Sequence, residues 1–391
     1  MFINKFLFFI FSFLIVLCIY WYFMPRKNRR SFLLICSFIF IGFFNPAYAL
    51  YYLILASIVY IAGLIIKENR EFKKPIFIAS LILLIGNFCF FKYFQALFEF
   101  FSHKSLPAII LPLGLSFITF RFLHYIIELN RNKIQDTSFV DFTLYSIFFP
   151  TFLAGPIERF PNFYKQTEGV SSVDYNMVAY GFYRVLLGII KKFLVADILL
   201  TWALPILRDP FSSSRIVVIS SVYATMIRLY MDFSGYTDMA IGVSCLFGYR
   251  IMENFNRPFL QRNIAMFWRN WHISLYTWIR DYFYFPFFVY RPSAIKMYLG
   301  PFLTILVFML WHGSALNFLV GGIVNGLGIM AWIFFQDLKK RSPKLKGRPQ
   351  YAIAAPLSIF LTFTYVSFGT VTFFFTRNLE EAKALLFRIF F

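Results

Sequence analysis

The sequence predicts an all-α integral membrane protein, and three observations carry that prediction. First, 60% of the 391 residues are hydrophobic and only 14% are charged, against about 45–50% and 25% in an ordinary soluble domain. Such a chain has too little polar surface to cover itself in water. Second, the apolar residues form long continuous runs. Backbone groups facing lipid must be satisfied inside a helix or a closed barrel, and barrels show short alternating segments instead. Third, the net charge of +20 is gathered into short Lys/Arg clusters between those runs, the pattern of cytoplasmic loops. Nucleic-acid binding would need a soluble basic domain, and the sequence has none.

The runs follow in order. A first span, about Phe6 to Met24, precedes Arg26, Lys27, Arg29 and Arg30. No small-residue cleavage site follows it and the basic cluster lies on the wrong side for a signal peptide, so it reads as a retained helix. Runs at about Phe32–Phe44 and Leu50–Ile66 break at Asn45-Pro46 and lead to Lys67, Arg70, Lys73 and Lys74. Spans at about Pro75–Tyr93 and Leu111–Leu129 return the chain to Arg131 and Lys133. Paired crossings put these clusters on one face, which the positive-inside rule makes cytoplasmic, with the N-terminus outside.

Phe139–Phe163 is apolar but contains Pro150, Gly155, Pro156, Glu158 and Arg159, so it reads as re-entrant or interfacial. Gly181–Leu207 and Ile216–Phe247 follow, the second interrupted by Asp232, Ser234 and Asp238. Arg250–Arg291 is too polar to span and too aromatic for a solvated loop. It holds Trp268, Trp271 and Trp278 among six Arg, the composition of amphipathic interface helices. Spans at Tyr298–Leu319, Val320–Phe335 and about Tyr351–Phe375 follow, with a basic loop from Lys339 to Arg348 before the last and a short amphipathic tail after it. The expectation is one multi-pass domain over residues 1–391, with peripheral spans in 1–110 and a catalytic core in 111–391.

Candidate chemistry comes from ionisable residues in apolar surroundings. His312 follows a run without charge from Leu299 to Leu310, beside the small Gly313 and Ser314. It reads equally as a general base for a hydroxyl or as a His bonded to a neighbouring helix. His272 lies in Phe267-Trp268-Arg269-Asn270-Trp271-His272. If this stretch is helical, Arg269 and His272 share a face, although an interface helix explains the stretch more simply. His103 reads as a surface residue and His124 as structural. Cys18, Cys36, Cys89 and Cys245 show no CxxC spacing, which argues against a disulfide framework or a zinc site, and no metal is expected. GxSxG, HExxH and GxxxxGK[ST] are absent, so no nucleophile is evident.

Several segments, in order, resemble the membrane-bound O-acyltransferase (MBOAT) superfamily. They are Leu111-Pro112-Leu113-Gly114, Gly155-Pro156-Ile157-Glu158-Arg159, Lys191-Lys192 with Ala196-Asp197, Met231-Asp232-Phe233-Ser234-Gly235-Tyr236, Asn254-Phe255-Asn256-Arg257-Pro258-Phe259, Phe267 to Leu275 running on to Arg280-Asp281-Tyr282, and Leu310-Trp311-His312-Gly313. The resemblance is to the bacterial branch, with alginate-type polysaccharide O-acetyltransferases and the D-alanyl transfer protein of teichoic-acid modification. It implies a ring of about 10–12 tilted transmembrane and re-entrant helices around a central tunnel. It also implies His312 as catalytic base and His272 as the second catalytic position, with Arg269, Asn270, Trp311 and Asp281 toward substrate or tunnel. Arg269 or Asn270 would stabilise developing oxyanion charge. Two departures stand out: Asn325-Gly326 where many relatives carry His-Gly, and Phe285 to Arg291 in place of a Gly-Gly-Asn stretch.

The implied reaction moves an acyl group, acetyl first and D-alanyl second, to a hydroxyl of a cell-envelope polymer. The donor is a thioester co-substrate, acyl-CoA or a phosphopantetheinylated carrier protein, with no permanently bound cofactor. The expected setting is the bacterial cytoplasmic membrane. The partners are the lipid bilayer, an acyl carrier protein and the envelope polymer or an extracytoplasmic acyltransferase, with no nucleic acid. Two rivals remain: a channel or transporter without chemistry, which the lack of an internal repeat disfavours, and a membrane scaffold for a secreted transferase.

Overall fold

A computed structural model describes residues 12–134, 137–169, 172–290, 293–341 and 354–391. The start of the span expected from Phe6, Arg291, and the basic loop beyond Arg341 lie outside the described residues. Elsewhere the chain is mostly helical, with a single isolated bridge between Phe255 and Trp271 and no named strand among the described residues. In chain order the helices are α1 (Ser12–Phe23), α2 (Arg29–Phe44), α3 (Pro46–Glu68), α4 (Lys73–Ser102), α5 (Leu115–Asn130), α6 (Phe139–Ile147), α7 (Phe160–Gly169) and α8 (Tyr175–Ile189). Then come α9 (Asp197–Arg208), α10 (Arg215–Leu246), α11 (Ile264–Asn270), α12 (Ile273–Ile279), α13 (Ala294–His312), α14 (Leu316–Arg341), α15 (Ala354–Phe374) and α16 (Leu379–Phe390). Of these, α3, α4, α10, α13, α14 and α15 are long and apolar enough to cross a bilayer, so the protein is an all-α, multi-pass integral membrane protein.

The chain divides into two compact units, the first being Met1–Gly188 with Tyr236–Met252. Its helix boundaries follow local chemistry. Asn45 caps α3 by accepting from the Ala47 N–H, with Pro46 in the first helical position, where a missing N–H costs nothing. Ser138 caps α6 in the same way, and its partner Asp141 also takes a two-pronged ion pair from Arg30 at 3.0 and 3.1 Å.

The segment expected to be re-entrant is broken, as its prolines require. Between α6 and α7 it runs through a short 3-10 turn at Phe149–Thr151. Arg121, 1% exposed, satisfies the carbonyls this break releases. Its guanidinium donates to the carbonyls of Tyr145, Ser146, Thr151 and Pro156 at 3.1–3.3 Å and to Thr151 Oγ1 at 2.6 Å. His124, 3% exposed, accepts from the Phe160 N–H at 3.0 Å. That fixes a neutral ring in a structural role.

Gly181 on α8 and Gly242 on α10 meet closely. A Cβ on either would lie 2.6–2.8 Å from the other's carbonyl oxygen, so only glycine allows the approach. Beside them Arg184 and Asp238, both almost fully buried, form a 2.6 Å ion pair. The two glycines let the backbones close in, and the ion pair neutralises two charges that lipid would not tolerate.

The second unit is Ile189–Gly235 with Glu253–Phe391. A wide π-turn at Ile190–Ala196 carries Lys192 to Asp197 (3.0 Å) and Asp232 (2.5 Å). Burial pulls the Lys192 ammonium down, but the two carboxylates outweigh it and raise its pKa. The segment expected at the interface contains no span. It is a loop, two seven-residue helices (α11 and α12) and a π-helix at Arg280–Val289. The span expected at Tyr298–Leu319 is shorter than the apolar run, because the helix stops at His312 and a new one starts at Leu316. Gly313 and Ser314, both poor helix residues, occupy the break. α16 is capped by Asn378 and buries Ala382 and Leu385.

Candidate active site

The site is built in the second unit from the α10 mid-section, the loop before α11, the α11–α12 junction and the end of α13. Asn254 organises the junction and is fully buried. Its carbonyl accepts the Ile273 N–H at 2.9 Å, while Asn256 donates to the Asn270 carbonyl at 3.1 Å. These bonds, with the Phe255–Trp271 bridge, end α11 at Asn270 and turn the chain before α12. Trp271 is extended and His272 sits at φ +46°. This left-handed conformation costs a non-glycine residue about 1–2 kcal/mol, and the surrounding bonds hold it.

His272 is 0% exposed. Asn254 Oδ1 accepts from the Ser274 N–H (3.3 Å) and the Ser274 hydroxyl (2.6 Å) and stands 3.3 Å from His272 Nδ1. A backbone N–H can only donate, so the atom facing it is the amide oxygen. His272 Nδ1 therefore carries its proton toward that oxygen, and Nε2 is the acceptor of the ring. Burial, and next to it the charge His312 would carry, push the His272 imidazole well below its ordinary pKa. His272 is neutral at physiological pH.

His312 ends α13 and is half-buried. The structure brings the two histidines together through shared aromatic neighbours. Trp311 lies 4.7 Å from the His312 ring and 5.9 Å from the His272 ring, and Phe308 lies 5.4 and 6.0 Å from them. Phe233 of α10 stands edge-on to His272 at 4.6 Å, and Phe374 closes on His312 at 5.2 Å. The result is a neutral, fixed imidazole and a more accessible one in an aromatic chamber. In α14 and α15, Asn325 Oδ1 and the hydroxyls of Ser367, Thr370 and Thr372 are buried with no protein partner among the described residues.

The other expected residues divide. Trp311, 8% exposed, touches both histidines. Arg269 is exposed, and the helix ends before His272, so the two do not share a helical face. Asn270 donates its amide to the Met266 carbonyl at 2.8 Å, within its own helix. Asp281 pairs with its neighbour Arg280 at 2.8 Å in the π-helix. Neither Arg269 nor Asn270 is thereby brought to the histidines as an oxyanion donor. Asn254 is the residue that single-site reasoning misses. It was visible only as the first residue of the Asn254–Phe259 segment.

Comparison with known proteins identifies the chain. The model of the membrane-bound O-acyltransferase family matches residues 115–376. The protein belongs to this family. A probable alginate O-acetylase of Pseudomonas aeruginosa is 32% identical across 96% of the chain and 72% of its own length. A peptidoglycan O-acetyltransferase of Helicobacter pylori is 28% identical across 91% of the chain and 73% of its own length. A teichoic acid D-alanyltransferase of Bacillus subtilis is 31% identical across 67% of the chain and 68% of its own length. The protein is a membrane acyltransferase, and both histidines lie within the matched region.

Proposed function

We propose that this MBOAT protein transfers an acetyl group from a thioester to a hydroxyl of a cell-envelope polymer, with His312 as general base. The observation that supports this most is the pairing of a neutral, anchored His272 with the more accessible His312 around Trp311. In the step, a His312 nitrogen takes the proton of the acceptor hydroxyl as its oxygen attacks the thioester carbonyl carbon. The tetrahedral intermediate collapses with loss of the C–S bond, and the imidazolium returns the proton to the leaving thiolate. Such proton transfer contributes about 10²–10⁴-fold. Trp311 forms the wall between the two rings, and Arg269, Asn270 and Asp281 contact the substrates farther out.

Orientation supports the same reading. α14 ends in Lys339, Lys340 and Arg341, which the positive-inside rule places in the cytoplasm. Its start at Leu316, and His312 just before it, then lie toward the outer face, where an envelope polymer arrives. The donor, acyl-CoA or a phosphopantetheinylated carrier protein, comes from the cytoplasmic side of the bacterial cytoplasmic membrane. The whole chain acts as one domain, with residues 111–391 as its catalytic core. D-alanyl transfer is the second reading, favoured by the relative of that name.

The test gives purified wild-type and His312→Ala protein radiolabelled acetyl-CoA, acetyl-carrier and D-alanyl-carrier, with envelope polymer as acceptor. Transfer by wild type and loss of at least 100-fold in a folded variant is expected, and the productive donor names the acyl group. Equal transfer by both proteins removes His312 from the chemistry.

A further inference from the structure

The long span α10 carries one basic residue between Ile216 and Phe247, Arg228. It lies roughly 20 Å along the axis from Arg215, at 1.5 Å per residue. A charged side chain at that depth is expensive unless it is paired or faces a polar cavity. Arg228 has no ion pair and no hydrogen bond to any described residue, and its Nε is buried and unsatisfied. The nearest carboxylate on its own helix face, Asp232 one turn on, is engaged by Lys192 at 2.5 Å. What holds the guanidinium is the ring of Phe375, 5.4 Å from its centre. A stacked guanidinium is oriented and keeps its N–H edge for a planar or tetrahedral anion.

Its location gives that edge a purpose. Phe375 directly follows Phe374, whose ring faces His312 at 5.2 Å. One corner at the end of α15 thus presents one aromatic face to the candidate base and the next to an unpaired cation. Resting on the acyltransferase reading above, we infer that Arg228 is an acceptor-recognition residue. It binds a carboxylate or phosphate of the envelope polymer, so that a hydroxyl of the same polymer is brought to His312. Phospholipid headgroups could offer the same chemistry, but they lie at the bilayer surface, whereas Arg228 sits in the interior of a span. The site selects anionic acceptors over neutral ones.

The test uses the full chain in phosphatidylcholine nanodiscs, as wild type, Arg228→Gln and Arg228→Lys. Because Arg228 has no acidic partner, neither substitution strands a buried carboxylate, and size-exclusion profiles check folding. Binding of a fluorescent oligouronate, of an oligomer of glycerol phosphate, and of the carboxyl-reduced neutral oligosaccharide is followed by anisotropy. Acyl transfer to each is followed in parallel. Arg228→Gln is expected to weaken binding of at least one anionic oligomer about 10- to 100-fold, the worth of a hydrogen bond to a charged group, with Arg228→Lys between. The neutral oligosaccharide is expected to bind both proteins alike. Equal binding of every oligomer by wild type and Arg228→Gln overturns the proposal. So does an effect confined to retention of added phosphatidylglycerol, which would make this a lipid site. If anion binding depends on Arg228 while wild type transfers no acyl group, the anion site stands and the acyltransferase reading fails.

Discussion

Asn254 is the residue whose removal tests the architecture of the site most directly. Three donors converge on its Oδ1: the Ser274 N–H, the Ser274 hydroxyl and His272 Nδ1. In Asn254→Ala the hydroxyl can rotate to another acceptor, but the two N–H groups cannot follow. Each buried donor left unsatisfied costs about 1–3 kcal/mol. Both contacts are long, at 3.3 Å, which places each at the low end and the sum at about 2–3 kcal/mol. The tautomer of His272 is also released, so the rate of acyl transfer is expected to fall about 10- to 100-fold, part of what a positioned acid–base system supplies. Asn254→Asp separates the two effects. Its carboxylate accepts the same three bonds but favours a charged His272, so its activity should decline as pH falls through a range where wild type is flat. Thermal unfolding in detergent and pH–rate profiles of the three proteins measure this. An Asn254→Ala protein with wild-type melting temperature and rate would refute the anchoring role. An Asn254→Asp profile that superimposes on wild type would refute the neutral state of His272.

Other predictions concern stability and the shape of the chamber. Asp238→Asn leaves Arg184 without its 2.6 Å partner and is expected to destabilise the protein by about 3–5 kcal/mol. The double substitution Arg184→Leu/Asp238→Leu should recover most of that, as read by the midpoint of thermal aggregation. His272 is held well below the ordinary imidazole pKa, chiefly by burial. The unfolded chain binds a proton below about pH 6.5 that the folded chain refuses, so stability is full above that pH and is lost as pH falls, by up to about 1.4 kcal/mol per unit for this ring. Melting temperatures from pH 7.5 to 5 should show this slope, and His272→Gln should lessen it. A Cβ on Gly313 would press into the Phe318 ring, which meets Phe374 at 4.7 Å and through it His312. Gly313→Ala is expected to slow transfer tenfold or more while the protein still elutes as a folded monodisperse species; an unchanged rate would show the chamber is not sensitive to that ring.

Much of the fold was legible because membrane crossing leaves a one-dimensional trace. The runs around α3, α4, α10, α14 and α15 are apolar enough to be seen without contacts. Pro150 and Pro156 announced the broken segment, although nothing in the sequence pointed to Arg121 as the group that satisfies it. His312 stood out because no charge precedes it from Leu299 onward. The break after His312 was hidden, since Leu316 to Phe335 continues the apolar composition and only the Gly313-Ser314 pair marked it. The shared face expected of Arg269 and His272 rested on helical spacing, and tertiary bonds to Asn254 and Asn256 override that spacing. Arg228 carried a readable signal, a single basic residue inside an apolar run.

The ring of carbonyls around Arg121 bears on how the chain is assembled in the bilayer. Residues 145–157 release backbone oxygens that hydrocarbon cannot solvate, so this stretch cannot be handed to lipid as an independent segment. The cation that receives those oxygens lies on α5, which emerges from the ribosome first. Synthesis therefore delivers the template before the strand of backbone that needs it, and insertion of the broken segment becomes a folding event on protein rather than a partitioning event into membrane. A chain lacking the Arg121 guanidinium would reach this point with nowhere to place the segment, and its failure would be one of biogenesis, seen as degradation before any question of catalysis arises.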